Sequence, residues 1–411
     1  MKLFQSARIL LPKEAELEKW AVIACDQFTS DLSYWQRVRA CVGEAPSTLH
    51  MVLPEAELEI GKKPNRTAIY TVMADMLANG GFQEYADSYV YVRRRLQNGM
   101  VRQGIVGMVD LEQYDYRAGS ASPIRATEKT VLERIPPRME IRSGASLEFP
   151  HVIMLCDDET HSLLDPLWEK QEELPLLYDF ELMEGGGRIT GRLVSGEDAA
   201  AFDERMAAYC ARCMEKYRDY PGSQVLLAVG DGNHSLAAAK DCYEALKRKC
   251  PGRDLSHSPA RFALVELENI HDDSQVFEPI HRILMDVDTR AVRQALEVHC
   301  APGGYPVTWL CGGEQGTLYL SREEGALAAA VLQPVLDDFL SAHPGRIDYI
   351  HGAETVAALA AQENSLGLLL PPMGKEALFR NVTIGGVLPR KTFSMGHARE
   401  KRYYLEGRKI Q

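Results

Sequence analysis

Gly230-Asp231-Gly232-Asn233-His234-Ser235 puts a carboxylate, an imidazole, a hydroxyl and two glycines within six residues. The stretch follows the apolar run Val225–Val229 and precedes Leu236, Ala239, Tyr243 and Leu246, which recur at helical spacing. The pattern predicts a strand handing over to a helix. The first N–H groups of such a helix lack internal partners, and with the helix dipole they attract anions. Gly230 and Gly232 permit unusual φ and let a phosphate come close. Asp231 suits an N-terminal cap, a Mg2+ partner, or the acceptor of a substrate hydroxyl proton. His234 suits a phosphate contact, a cap or a filler. The stretch lacks the Gly-Lys-Ser/Thr ending of a Walker A loop, and Ser235 stands at the third glycine position of the dinucleotide fingerprint. A phosphate cradle and an ordinary left-handed turn both remain open.

Other stretches could supply the missing cations and acids. Glu128, in "RATEKTVLER", reads as a dipole partner at a helix start, a Mg2+ ligand or a base. His281 and Arg282 follow an acidic loop, where Arg282 could neutralise phosphate or simply lie on the surface. Lys391 and Thr392, in "VLPRKTFSMG", offer an ammonium beside a hydroxyl, or a solvated edge strand. Asp26 and Gln27 fall at a strand end, where they reach a ligand or lead into a helix capped by Ser30 or Asp31. Gly185-Gly186-Gly187-Arg188 reads as a hairpin or lid before a phosphate cradle. The histidines show no local metal-ligand spacing, so no metal is expected beyond a nucleotide's Mg2+.

These residues need a scaffold, and the sequence outlines one. Strands are expected at Ala21–Cys25, 151–158, 223–232 and 261–269, with a hairpin turning at Asn98-Gly99. Beyond about residue 286, helical and strand-like patterns alternate more closely. We therefore expect an α+β fold with a mixed sheet core: a main domain over 1–285, a smaller inserted α/β subdomain over 286–364, and a basic segment over 365–411 returning to the main domain. Net charge is −12, which argues against a nucleic-acid or anionic-membrane partner. The charge is uneven: residues 371–411 sum to +6 and residues 1–370 to −18. Nine cysteines without framework spacing read as reduced thiols, and Cys210 and Cys213 share a helix face; together with an N-terminus lacking a signal-peptide core, this gives a cytoplasmic expectation.

Asp231-Gly232-Asn233-His234-Ser235 resembles the Asp-Gly-His-His-Arg element of the domain-of-unknown-function 1015 family. Further matches occur in order: the hairpin with Gly104-Ile105-Val106-Gly107, the segment with Pro123, Glu128, Thr130 and Arg134, the pair His281-Arg282, and the stretch with Pro389, Lys391, Thr392 and Phe393. The element also resembles that of the ParB and sulfiredoxin superfamily, some of whose members phosphorylate free serine. The resemblance implies a ParB/sulfiredoxin-like element, a nucleotide such as ATP or ADP with Mg2+, and phosphoryl transfer to a small hydroxyl metabolite. In that reading Asp231 and Glu128 are catalytic. Gly230, Gly232, Asn233, His234, Ser235, His281, Arg282, Lys391 and Thr392 hold the cofactor. Ser235 and Asn233 depart from the family's arginine and first histidine, and neither replaces a bidentate guanidinium. Either another cation serves, or the chain is a non-catalytic nucleotide or metabolite sensor.

Overall fold

The computed structural model describes residues 2–57, 66–220, 225–322, 326–389 and 391–411. Its centre is an eleven-stranded mixed sheet. From one edge the main path runs Leu176–Leu182, Gly187–Val194, Phe82–Arg95, Val101–Asp110, Phe262–Asn269, Ile153–Cys156, β1 (Leu227–Asp231), Ile124–Ala126 and Tyr114–Asp115. Most neighbours are antiparallel. β1 runs parallel to Ile124–Ala126 and antiparallel to Ile153–Cys156, so it lies inside the sheet with both sides paired. Its apolar residues explain that place, since Leu227, Ala228 and Val229 are all fully buried.

Alternation along Phe82–Arg95 assigns the two faces. Val90 and Val92 join a cluster with Trp35, Val38, Ile69 and Met73, whereas Tyr89 and Tyr91 join one with Phe202, Tyr209, Leu236 and Tyr243. Helices thus cover both faces. α1 (Asn233–Lys249) buries Leu236, Ala239 and Tyr243, the helical spacing expected from sequence. Gly99 turns the hairpin with φ +85°, and the triple glycine forms the turn between Leu176–Leu182 and Gly187–Val194.

A second sheet of six strands holds the later part of the chain. Its strand β2 (Phe277–Met285) pairs with Arg346–His351, Leu366–Leu369 and Phe393–Met395. The smaller layer therefore reaches beyond 286–364 at both ends, because β2 and Leu366–Leu369 both lie inside it, Leu366–Leu369 between β2 and Cys300–Cys311. α2 (Ala328–Ala342) packs with it through Leu332 and Leu336.

The basic segment is threaded through the main body. Tyr403–Tyr404 pairs with Val22–Ile23, and the Ala24 N–H donates to the Arg402 carbonyl at 2.9 Å, so the expected strand Ala21–Cys25 is paired over its middle. Arg408–Lys409 pairs with Leu147–Glu148. Arg402 meets buried Glu266 at 2.6 Å and also Glu406, and Arg408 meets buried Glu148 at 2.8 Å. Part of the tail's positive charge is thus spent on buried acids of the body.

Candidate functional site

β1 ends at Asp231 and α1 begins at Asn233, with Gly232 between them at φ +79°. A side chain there would also press on the backbone of Val152, 3.0 Å from an added Cβ. At Gly230 an added Cβ would lie 2.8 Å from Met395 Sδ and 2.9 Å from Leu155 Cγ. Both glycines are thus required by packing, and at Gly232 by backbone conformation as well. No side chain caps the start of α1. The earliest amides with helix-type bonds are those of Ser235 and Leu236, both donating to the Gly232 carbonyl at 3.0 Å.

This uncapped start opens on a cavity of about 710 Å³. Gly230, Asp231, Gly232, Asn233, His234, Glu128 and Lys391 all line it, as the sequence grouped them. Asp231 accepts the Gly232 N–H through Oδ1 at 3.0 Å; its Oδ2 lies 3.4 Å from the Lys401 ammonium and has no hydrogen-bond donor. The side-chain oxygen of Asn233 is likewise buried without a partner. His234 Nε2 accepts the Val131 N–H at 3.1 Å, so the ring proton sits on Nδ1.

Glu128 is held beside the turn by backbone bonds. Thr127 Oγ1 donates to the Val229 carbonyl at 2.7 Å, the Leu388 N–H to the Thr127 carbonyl at 2.7 Å, and the Lys129 N–H to the Leu388 carbonyl at 3.1 Å. Burial pushes the Glu128 carboxyl up to about 7, Asp231 adds to that, and the ammonium and N–H of Lys391 with Lys401 act against it. Lys391 itself has φ +59°, a left-handed backbone that costs a non-glycine residue energy.

Four residues grouped with Glu128 and Lys391 in the sequence do not line this cavity. Arg282 is fully buried behind the wall. It donates to the Lys391 carbonyl at 2.9 Å, the Ile280 carbonyl at 2.6 Å and Gln333 Oε1 at 2.9 Å, with Tyr349 against its plane. It braces the strained Lys391 turn instead of facing the cavity. His281 points the other way, as successive strand residues must, and its Nδ1 accepts the Leu370 N–H at 3.2 Å. Thr392 spends its hydroxyl on the Pro389 carbonyl at 2.6 Å. Ser235 lies on the other side of α1's first turn, with its Oγ 3.3 Å from His151 Nε2.

Other cavity residues come from remote segments: Asp26 and Gln27, Lys129 and Arg134, Tyr349 and His351, His397 and Lys401. Asp26 and Gln27 occupy the strand end where the sequence allowed a ligand contact, while Asp31 caps the next helix by accepting the Tyr34 N–H at 3.1 Å. Burial alone would raise the Asp26 pKa, but His151, 3.6 Å away, and Gln27 outweigh it and hold the carboxyl far below its ordinary value. Burial and the Lys391 ammonium lower the His351 pKa. Arg134 was legible only through the family resemblance, and Lys401 only as one charge in the basic tail. Tyr349, His351 and His397 carried no chemical signal in the sequence.

The acids here do not form a preformed metal cage. Among the described residues, metal-ligand spacing occurs only at Asp157, Glu159 and His271. There Lys216 Nζ sits 2.6 Å from Asp157 and 2.7 Å from Glu159, already supplying a cation. No helix among the described residues is long and apolar enough to cross a membrane.

The sequence profile of a family described as a protein of unknown function, DUF1015, matches residues 7–384. The chain belongs to the DUF1015 family. Nothing among the curated proteins matches it. Solved structures similar to this DUF1015 member include a free serine kinase variant in complex with AMP, at 12% identity and TM-score 0.39, covering 74% of this chain and 91% of that one. The same kinase variant in complex with ADP has 11% identity, the same coverage and the same score. SbnI with a C-terminal truncation, from Staphylococcus aureus, has 10% identity and TM-score 0.36, covering 71% of this chain and 82% of that one.

Proposed function

We propose that this protein binds a nucleotide such as ATP or ADP with its phosphates at the start of α1, and transfers a phosphoryl group to a small hydroxyl metabolite such as free serine. One observation carries the reading: an uncapped helix start opens on a cavity into which Lys129, Arg134, Lys391 and Lys401 bring positive charge from separate segments. Phosphoryl transfer asks mainly for positioning and charge neutralisation, and this lining supplies both. Arg134 takes the place of the guanidinium missing at Ser235. Glu128, poised near neutral pH, accepts the proton of the acceptor hydroxyl.

Asp231 Oδ2, a buried oxygen with no hydrogen-bond donor and the Lys401 ammonium 3.4 Å away, fits a hard cation in place of that ammonium. Mg2+ is commonly held by one or two carboxylates together with substrate phosphates, so Asp231 and the nucleotide would share it, and it would neutralise phosphate charge. Asp26 and Gln27 give the acceptor polar contacts at the same cavity.

The placement of Ser235 away from the cavity favours a second reading, in which the protein binds a nucleotide as a regulator without turning it over. Thermal unfolding with AMP, ADP, ATP and CTP, followed by mass spectrometry for phosphoserine after mixing serine with the nucleotide that binds, separates the readings. We expect a nucleotide-dependent rise in Tm and phosphoserine formation. A rise without product selects the regulator, and no rise with any nucleotide refutes both.

A further inference from the structure

A second cavity, of about 170 Å³, lies on the other side of α1's first turn. It shares no lining residue with the polar cavity. Its walls are mainly apolar, with Met73, Ile141, Leu147, Phe149, Leu236 and Leu264 among them. Protein interiors are otherwise close-packed, and an apolar void of about 150 Å³ is large enough to take a benzene-sized guest.

The polar groups of this chamber narrow the choice of guest. Arg138 and Arg142 both line it, and so do their acidic partners Glu55 and Glu148. The arginines pair through other nitrogens with Glu55 and Glu148, yet Arg138 Nε and Arg142 Nη2 are buried donors with no acceptor. Such donors are costly to bury unless something accepts from them. Ser235 Oγ and His151 add a hydroxyl and an imidazole to the lining.

We propose that this chamber is a binding site for a small monocarboxylate with an apolar body of about benzene size. The body fills the apolar space, and the carboxylate accepts from the unsatisfied guanidinium nitrogens of Arg138 and Arg142. The site does not rest on the nucleotide reading, because its walls and donors are separate. It does adjoin that cavity: His151 of the chamber lies 3.6 Å from Asp26 of the polar site.

Calorimetric titration of the full chain with benzoate tests the proposal, with benzyl alcohol as the uncharged comparison and with Ala239→Leu and Ala263→Val as variants that fill the chamber. Benzoate should bind at least about tenfold tighter than benzyl alcohol, the scale of one charge-assisted hydrogen bond. Each filling variant that folds should lose at least about tenfold of benzoate affinity, the scale of a misfitted apolar contact. Failure of benzoate to bind overturns the proposal. Equal binding of benzyl alcohol overturns the carboxylate assignment, and undiminished binding by both folded filling variants overturns the location. Titration with ADP alongside reads the other cavity separately.

Discussion

Glu128→Gln tests both the site's electrostatics and its chemistry. Burial lifts the Glu128 carboxyl from 4.5 to about 7. The folded protein therefore holds this proton more tightly than the unfolded chain does. The contribution to stability is fully present below pH 4.5 and is lost as pH rises towards about 7, beyond which it changes no further. At about 1.4 kcal/mol per tenfold change in acidity, the whole displacement amounts to about 3 kcal/mol. Glutamine does not titrate, so the wild-type protein should lose about 3 kcal/mol relative to Glu128→Gln between pH 4.5 and pH 8. Urea unfolding of both proteins at half-unit pH steps measures the difference, and other titrating groups cancel. A difference that stays constant across this window would refute the claim that Glu128 is half-buried beside the turn with its charge only partly offset by Lys391. In the proposed reaction the same variant loses its proton acceptor, so turnover at pH 8 should fall at least ~100-fold.

Gly232→Ala should cost about 1–2 kcal/mol in unfolding free energy from its left-handed φ alone, with more from the approach to Val152; a neutral result would mean the turn relaxes freely. Arg282→Ala should cost about 3 kcal/mol by leaving the Lys391 carbonyl and Gln333 without their donor. It should also weaken nucleotide binding through Lys391, and unchanged values in both assays would refute the bracing role. Lys391→Ala and Arg134→Ala should each lower ADP affinity about tenfold, the scale of one charge-assisted contact, with little change in Tm. Asp231→Asn should lower phosphoserine formation at least about tenfold by weakening the Mg2+ that Asp231 would share with the nucleotide, and raising the Mg2+ concentration should recover part of the loss.

The turn at Gly230–Ser235 was legible because its evidence is local: apolar residues up to Val229, helical spacing from Leu236, and glycines where the backbone bends. The side to which each neighbouring residue points was not local. Arg282 looked like a phosphate ligand in sequence, but its strand directs it into packing with α2, where Gln333 takes its Nε donor and the Ile280 and Lys391 carbonyls take Nη1, leaving Nη2 buried without an acceptor. Ser235 belongs to the right turn and the wrong face of it. Lys401 and Asp26 reach one cavity from opposite ends of the sequence, and no spacing rule joins them. The strand at Val22–Ile23 is short because its partner, Tyr403–Tyr404, is itself only two residues long. The uneven charge was a truer guide, since tail cations serve both the cavity and the buried acids.

Trp20 is fully buried, and its indole N–H donates to the Leu405 carbonyl at 3.0 Å, across 385 residues of chain. At a synthesis rate of about 5–20 residues per second, roughly 20–80 seconds separate the two on the ribosome. During that wait the nascent body has neither its closing strand nor Lys401, so the cavity at the start of α1 lacks part of its wall. A chain ending ahead of Lys391 would lack Lys391 and Lys401, two of the lysine and arginine side chains that line the cavity, along with the strand that closes the body.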